Sequence, residues 1–204
     1  MPQYFENDKN LKSQLNYSIF NKNFTFYTDN GVFAKNGVDY GSKLLLETVV
    51  DSAFSYHSIL DVGCGYGTLG IILNKVYDCP TTMIDINKRA LHLTKRNILE
   101  NKCNDILVFE SDAYEKIETK YDLIITNPPI HAGKKKVYEI LLEAKNHLSE
   151  NGKLFFVIHK DQGAKSVVRD LSEKYKIEVL KKEKGFFIIL AQNCWLVARS
   201  VLII

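Results

Sequence analysis

Apolar residues fall along this chain in two rhythms. Short continuous runs at 58–62, 81–85, 106–110, 121–126 and 153–158 are rich in Ile, Leu, Val and Thr, and most end at Gly, Asp or Asn. Continuous rather than alternating, they read as strands covered on both faces. Between them, 67–77, 88–101, 135–148 and 163–174 carry apolar residues at helical spacing, and Asn151-Gly152 closes the third. Strands alternating with helices imply a parallel sheet with helices on both faces. The last two runs, 176–182 and 186–191, lie too close together for a crossover and must pair antiparallel. Upstream, 15–20 and 24–28 flank Asn21-Lys22-Asn23 and predict a β-hairpin, followed by a helix over 42–50.

The pattern therefore predicts an α/β fold: a Rossmann-like, seven-stranded, mostly parallel sheet with an antiparallel last strand, plus an N-terminal hairpin and helix. We expect one domain over 1–191, with 1–50 as its N-terminal extension. Residues 192–204 add an apolar tail, Gln-Asn-Cys-Trp to Ile204, too short to span a bilayer and given no function. No repeat or linker interrupts the chain.

Composition changes this picture little. At 204 residues, 46% hydrophobic and 25% charged, the chain suits one globular domain with a sizeable core. Its four cysteines show neither C-x-x-C nor metal-ligand spacing, so no metal site is expected and a reducing, cytoplasmic compartment is. There is no secretory signal pattern and no membrane-length apolar run. The distribution of charge says more than its total of +3: residues 1–126 carry a net −3 and residues 127–204 a net +6. The basic surplus starts with Lys134, Lys135 and Lys136 and continues through Lys160, Lys165, Arg169 and the 181–184 run. It suits a phosphate-backbone partner; a solvated lysine-rich face accounts for it equally well.

Candidate chemistry starts at the first central strand. Asp61 sits in the glycine turn that follows it, with Gly63, Cys64, Gly65 and Gly67 before the next helix. A dinucleotide fingerprint needs G-x-G-x-x-G, and Thr68 occupies its third position. An acid in the turn repels a pyrophosphate but pairs with the ammonium of an amino-acid moiety, which favours S-adenosyl-L-methionine (SAM). Asp85, before Ile86, ends the next strand at a spacing that suits the ribose hydroxyls. Asp112, before Ala113, follows the third and can accept from an adenine amine. Each acid alone suits a helix N-cap or turn; together with the glycine turn they form a nucleoside site.

The run 121–126 ends in Asn127-Pro128-Pro129-Ile130. Two prolines fix φ and delete two backbone donors, leaving a stiff turn of acceptors at a strand's carboxyl end. Acceptors without donors suit the gripping of an NH2 group.

These motifs, with Gly31-Val-Phe33 and Asp39-x-Gly-Ser-x-Leu-Leu-Leu46, resemble the class I SAM-dependent methyltransferases. Within that class the chain resembles the small methyltransferase domain of the ribosomal RNA small-subunit guanine-N2 enzymes, over about residues 15–191. The resemblance implies SAM as cofactor and a guanine N2 in ribosomal RNA, naked or in a subunit, as methyl acceptor. It also implies Asn127, Pro128, Pro129 and Ile130 as the catalytic motif; the oligomeric state is left open, with a monomer expected. Ile130 replaces the Tyr or Phe usual in adenine-N6 and protein-glutamine relatives, which favours guanine. Phe33 is the candidate for stacking on the base, and Lys134, Lys135 and Lys136 for its phosphates. His131 and His159 flank the site without an assigned role. Glutamine-N5 or adenine-N6 transfer, an inactive SAM- and RNA-binding module and, more remotely, a nucleotide-linked oxidoreductase are the alternatives.

Overall fold

A computed structural model describes residues 13–29 and 37–193. Phe33 and nearly all of the apolar tail lie outside the described residues. The elements run β1 (Ser13–Ile19), β2 (Lys22–Thr28), α1 (Tyr40–Asp51), β3 (Ile59–Val62), α2 (Thr68–Tyr77), β4 (Thr81–Asp85), α3 (Lys88–Glu100), β5 (Ile106–Glu110), β6 (Tyr121–Thr126), α4 (Lys134–His147), β7 (Leu148–His159), α5 (Ala164–Leu171), β8 (Tyr175–Glu183) and β9 (Phe186–Asn193).

Seven strands form one sheet in the order β5-β4-β3-β6-β7-β9-β8. Only β9 runs against its neighbours, β7 and β8. The order reverses between β3 and β6, so the crevice above their carboxyl ends is the expected ligand position. Both faces of the central strands are dry. Along β7, Phe155 and Val157 pack with α1, α2 and α3, while Leu154, Phe156 and Ile158 pack with α4 and α5. This is the two-residue period of a strand covered on both sides, which is why the sequence shows runs rather than alternation.

β1 and β2 form a separate two-stranded sheet whose turn residues Phe20 and Asn21 both have positive φ (54° and 57°). The turn is thus one residue earlier than expected and of the tight hairpin type. Phe24 and Phe26 of β2 join the core beneath α1, α2 and α3. α3 clamps the β2 backbone. Asn97 Oδ1 accepts from Tyr27 N at 2.7 Å, and its Nδ2 donates to Tyr27 O at 3.1 Å. Asn101 treats Thr25 the same way, at 3.0 and 2.8 Å.

Several boundaries differ from the sequence reading; α5, expected over 163–174, ends at Leu171. Two differ by more than the fraying of an end. α4 ends at His147, and Asn151-Gly152 lies within β7 at an irregularity in its pairing with β6. There, a Cβ on Gly152 would approach Tyr121 O to 2.7 Å. The glycine that seemed to end a helix instead permits close backbone packing. β9 runs on through Gln192 and Asn193, so the first two residues of the expected tail are strand. Among the described residues, no helix is long and apolar enough to cross a membrane.

Candidate active site

The carboxyl ends of β3, β4, β5, β6 and β7 surround one cavity of about 730 Å³, within the range of small-molecule sites. Its floor is the glycine turn. Gly63 and Cys64 donate their N–H groups to Ile84 O at 2.9 and 3.0 Å. Thr94 Oγ1 donates to Gly65 O at 2.7 Å, and Asn97 Nδ2 to Tyr66 O at 2.7 Å. Gly65 has φ +58°, and a Cβ there would meet nothing within 4 Å. Gly67 is different: at φ +100° its Cβ would strike Ile71 at 2.8 Å, so its role is helix-to-sheet packing.

Asp61 is not in the turn, as the sequence reading had it. It lies within β3, completely buried, and does not line the cavity. Its Oδ2 accepts from Gly70 N at 2.9 Å, which satisfies a first-turn amide of α2. Its Oδ1 has no hydrogen-bond partner among the described residues. Burial pushes its pKa up to about 7, against the Gly70 hydrogen bond.

Asp85 ends β4 at the cavity wall. Its Oδ2 accepts from Gly65 N at 2.9 Å and its Oδ1 from Asn87 N at 2.8 Å. Burial raises its pKa, and the amides oppose the shift. The carboxylate keeps acceptor capacity beyond these amides. Beside it, Ile86 lines the cavity 61% exposed, an apolar surface left for a partner to cover. Asp112 and Ala113 complete this end. Asp112 is already engaged: Lys136 Nζ lies 2.8 Å from its Oδ1 and 2.5 Å from Glu139 Oε1. The Asp112 hydrogen bond, then that of Glu139, raises the pKa of Lys136. Lys136 therefore faces the cavity from α4, apart from exposed Lys134 and Lys135.

The Asn-Pro-Pro turn stands opposite. Thr126 Oγ1 donates to Val62 O at 2.7 Å, tying the end of β6 to that of β3. Asn127, Pro128, Pro129 and Ile130 all line the cavity. Asn127 Nδ2 donates to Ser42 Oγ at 3.0 Å and to the Asp39 carboxylate at 3.3 and 3.4 Å. Its Oδ1 accepts nothing among the described residues. Pro129 O is taken by Ala132 N at 3.0 Å, whereas Pro128 O accepts nothing among the described residues.

The structure thus gathers Gly63, Cys64, Gly65, Asp85, Ile86, Asp112, Ala113, Lys136 and the Asn-Pro-Pro-Ile turn around one space. It leaves Asp61 and Gly67 beneath it. It also brings in Tyr40 and Phe186, which the sequence reading missed, and His159, to which that reading gave no role. Tyr40 at the start of α1, Phe186 at the start of β9 and His159 at the end of β7 form an aromatic wall next to Asn127. Phe186 lies 5.9 Å from Tyr40 and 4.8 Å from His159, centroid to centroid. Lys184 Nζ sits 4.3 Å from the Tyr40 ring centroid. Nothing local marks Phe186. Asp39 and Ser42 were visible only as part of a family motif.

SAM suits this set of groups. Gly65 leaves room for close backbone approach, Asp85 keeps acceptor capacity at the cavity wall for a ribose hydroxyl, and Ile86 and Ala113 offer an apolar slot. Among the described residues no group of three His, Cys, Asp or Glu side chains is arranged to hold a metal ion.

Comparison with known proteins agrees with this fold. The family model described as methyltransferase small domain matches residues 23–190. A protein of Bacillus subtilis (strain 168), "Uncharacterized protein YbxB", is 39% identical over 189 residues, 91% of this chain and 94% of that protein. Ribosomal RNA small subunit methyltransferase C of Haemophilus influenzae (strain PittEE) is 38% identical over 141 residues, 67% of this chain but 42% of that protein. Among solved structures, the T. thermophilus 16S rRNA N2 G1207 methyltransferase, in complex with AdoMet and guanosine, superposes with a TM-score of 0.81 at 23% identity. That match covers 89% of this chain and 50% of the other. This chain spans half or less of these two ribosomal RNA enzymes.

Proposed function

The chain belongs to the methyltransferase small domain family and is a SAM-dependent methyltransferase, and from that premise we propose that its acceptor is the exocyclic N2 of a guanine in small-subunit ribosomal RNA. The observation that carries this reading is the orientation of Asn127. Both protons of its amide are spent on Asp39 and Ser42, so the group it offers the cavity is an acceptor. With Pro128 O it makes a two-acceptor grip for an NH2.

An exocyclic amine is a poor nucleophile because its lone pair is delocalised into the ring. When Asn127 Oδ1 and Pro128 O accept its two N–H bonds, the nitrogen turns toward sp3 and its lone pair is aimed. Bound SAM supplies an electrophilic methyl group on a sulfonium. The residues contribute orientation and stabilisation of the positive charge that grows on nitrogen, and no strong base is required. The proton is lost to water after transfer.

In this reading Gly63, Cys64, Gly65, Asp85, Ile86, Asp112 and Ala113 hold the cofactor, and Tyr40 and Phe186 flank a base flipped out of its stack. Lys134 and Lys135 contact phosphates. Lys136, paired with two acids, does not. Asp61 acts from below, through the start of α2. The same grip fits an adenine N6 or a glutamine amide; Ile130 and the guanine-N2 specificity of the structurally similar T. thermophilus enzyme favour guanine. Mass spectrometry of ribosomal RNA nucleosides from cells lacking the gene tests the assignment. One methylguanine should vanish and return with the wild-type gene but not with Asn127→Ala. Loss of a methyladenine instead, or of no nucleoside, rejects it.

A further inference from the structure

We infer that Asp39, 88 residues away in sequence, is a positioning residue that sets the polarity of the Asn127 amide toward the substrate. The inference rests on the methyl-transfer reading above and goes beyond it by naming what orients the grip.

An Asn side chain is nearly symmetric in shape, yet its two ends have opposite hydrogen-bond character. Nothing in the Asn-Pro-Pro turn decides which end faces the cavity; the prolines fix backbone only. The decision comes from α1. Asp39 is its N-cap, with Oδ1 accepting from Ser42 N at 3.1 Å. The cap brings both carboxylate oxygens within 3.3 and 3.4 Å of Asn127 Nδ2. A carboxylate only accepts, so the amide must turn its NH2 toward it. Ser42, buried one turn later, accepts the other proton through Oγ at 3.0 Å. A hydroxyl can donate as well as accept, so Ser42 follows the choice that Asp39 makes. α1 is held at this distance because Gly41 packs beneath Phe186, where a Cβ would come within 2.9 Å of the ring.

Asp39→Asn is the decisive variant. Asn caps helices as well as Asp, so α1 should persist and the melting temperature should stay close to wild type. The new amide keeps its oxygen on the Ser42 N–H and sets an NH2 where Oδ2 stood, 3.4 Å from the NH2 of Asn127. Turning over exchanges that donor–donor contact and a shared acceptor for bonds from the new NH2 and the Ser42 hydroxyl to Asn127 Oδ1, so Asn127 presents its NH2 to the cavity. Turnover on ribosomal RNA from cells lacking the gene should then fall about 10²–10³-fold, as expected for loss of one preorganised electrostatic partner. SAM affinity should stay within about threefold. The double variant Asp39→Asn/Asn127→Ala should be no slower than Asn127→Ala alone, because both remove the same acceptor. A purely structural Asp39 would make the two losses multiply.

A second readout needs no turnover. The side-chain NH2 resonances of Asn127, identified by their absence in Asn127→Ala, should be protected from exchange in the wild type and lose protection in Asp39→Asn. Full activity of Asp39→Asn beside an inactive Asn127→Ala, or unchanged amide protection, overturns the inference. Full activity of Asn127→Ala overturns the amine-gripping reading instead, and the resonances then still judge the clamp.

Discussion

The backbone N–H of Gly65 donates to Asp85 Oδ2 at 2.9 Å, so the turn that ends β3 is held by the acid that ends β4. One carboxylate thereby shapes the floor of the cavity and, in the proposed reading, meets the cofactor ribose. Asp85→Ala should weaken SAM binding by about 1.5–3 kcal/mol, the scale of a hydrogen bond to a charged group. Calorimetric titration checks the loss. Wild-type protein should gain about 2.7 kcal/mol of stability from SAM at a hundredfold excess over Kd. NAD should give none, and stabilisation by NAD alone would refute the cofactor site.

Asn127→Ala should leave the fold and SAM affinity nearly intact, since the prolines and buried β6 set the turn. Turnover should drop by about 10²–10³. Asn127→Asp keeps an acceptor but faces Asp39 with like charge, so it should retain more activity than Ala only when Asp39 is also changed to Asn. Single-turnover rates on ribosomal RNA measure both. Equal rates for Asn127→Ala and wild type would reduce Asn-Pro-Pro-Ile to a loop.

The two exposed lysines and their inward neighbour should separate in salt dependence. Neutralising Lys134 and Lys135 together should flatten the log–log slope of RNA binding by about 1.4–1.8 units, at 0.7–0.9 per phosphate contact. Lys136→Gln should leave the slope unchanged, because its ammonium lies between Asp112 and Glu139. An unchanged slope in the double variant would move the RNA path to Lys184, beside Tyr40 at the other rim.

Asp61 gives a pH prediction with a definite sign. Its folded pKa is raised to about 7, above an unfolded value near 3.9. Between these values the folded state binds the extra proton, so Asp61 favours folding below about pH 4 and that contribution is lost as pH rises through about 7. Asn at this position keeps an oxygen for Gly70 N and carries no charge. Urea unfolding without SAM should show Asp61→Asn gaining on wild type by about 1–3 kcal/mol between pH 4.5 and pH 8. A difference independent of pH would contradict the buried-charge account.

Sequence alone settled what depends on neighbours along the chain. Runs of β-branched residues and helical spacing marked the sheet strands and helices, because period and breakers are local properties. Gly63-Cys-Gly65 and Asn127-Pro-Pro were legible for the same reason: backbone freedom at one and backbone rigidity at the other are written in consecutive residues. Three things were decided only by tertiary packing. Asp61 went beneath the turn rather than into it, since the pleat of β3 aims it at α2. Lys136 parted from Lys134 and Lys135, since helical rotation turns it toward Asp112. The polarity of Asn127 and the wall of Tyr40, His159 and Phe186 come from α1, β7 and β9, distant in sequence and adjacent only once the sheet is built. A side chain's direction is chosen by whatever packs against it, and that neighbour is not encoded beside it.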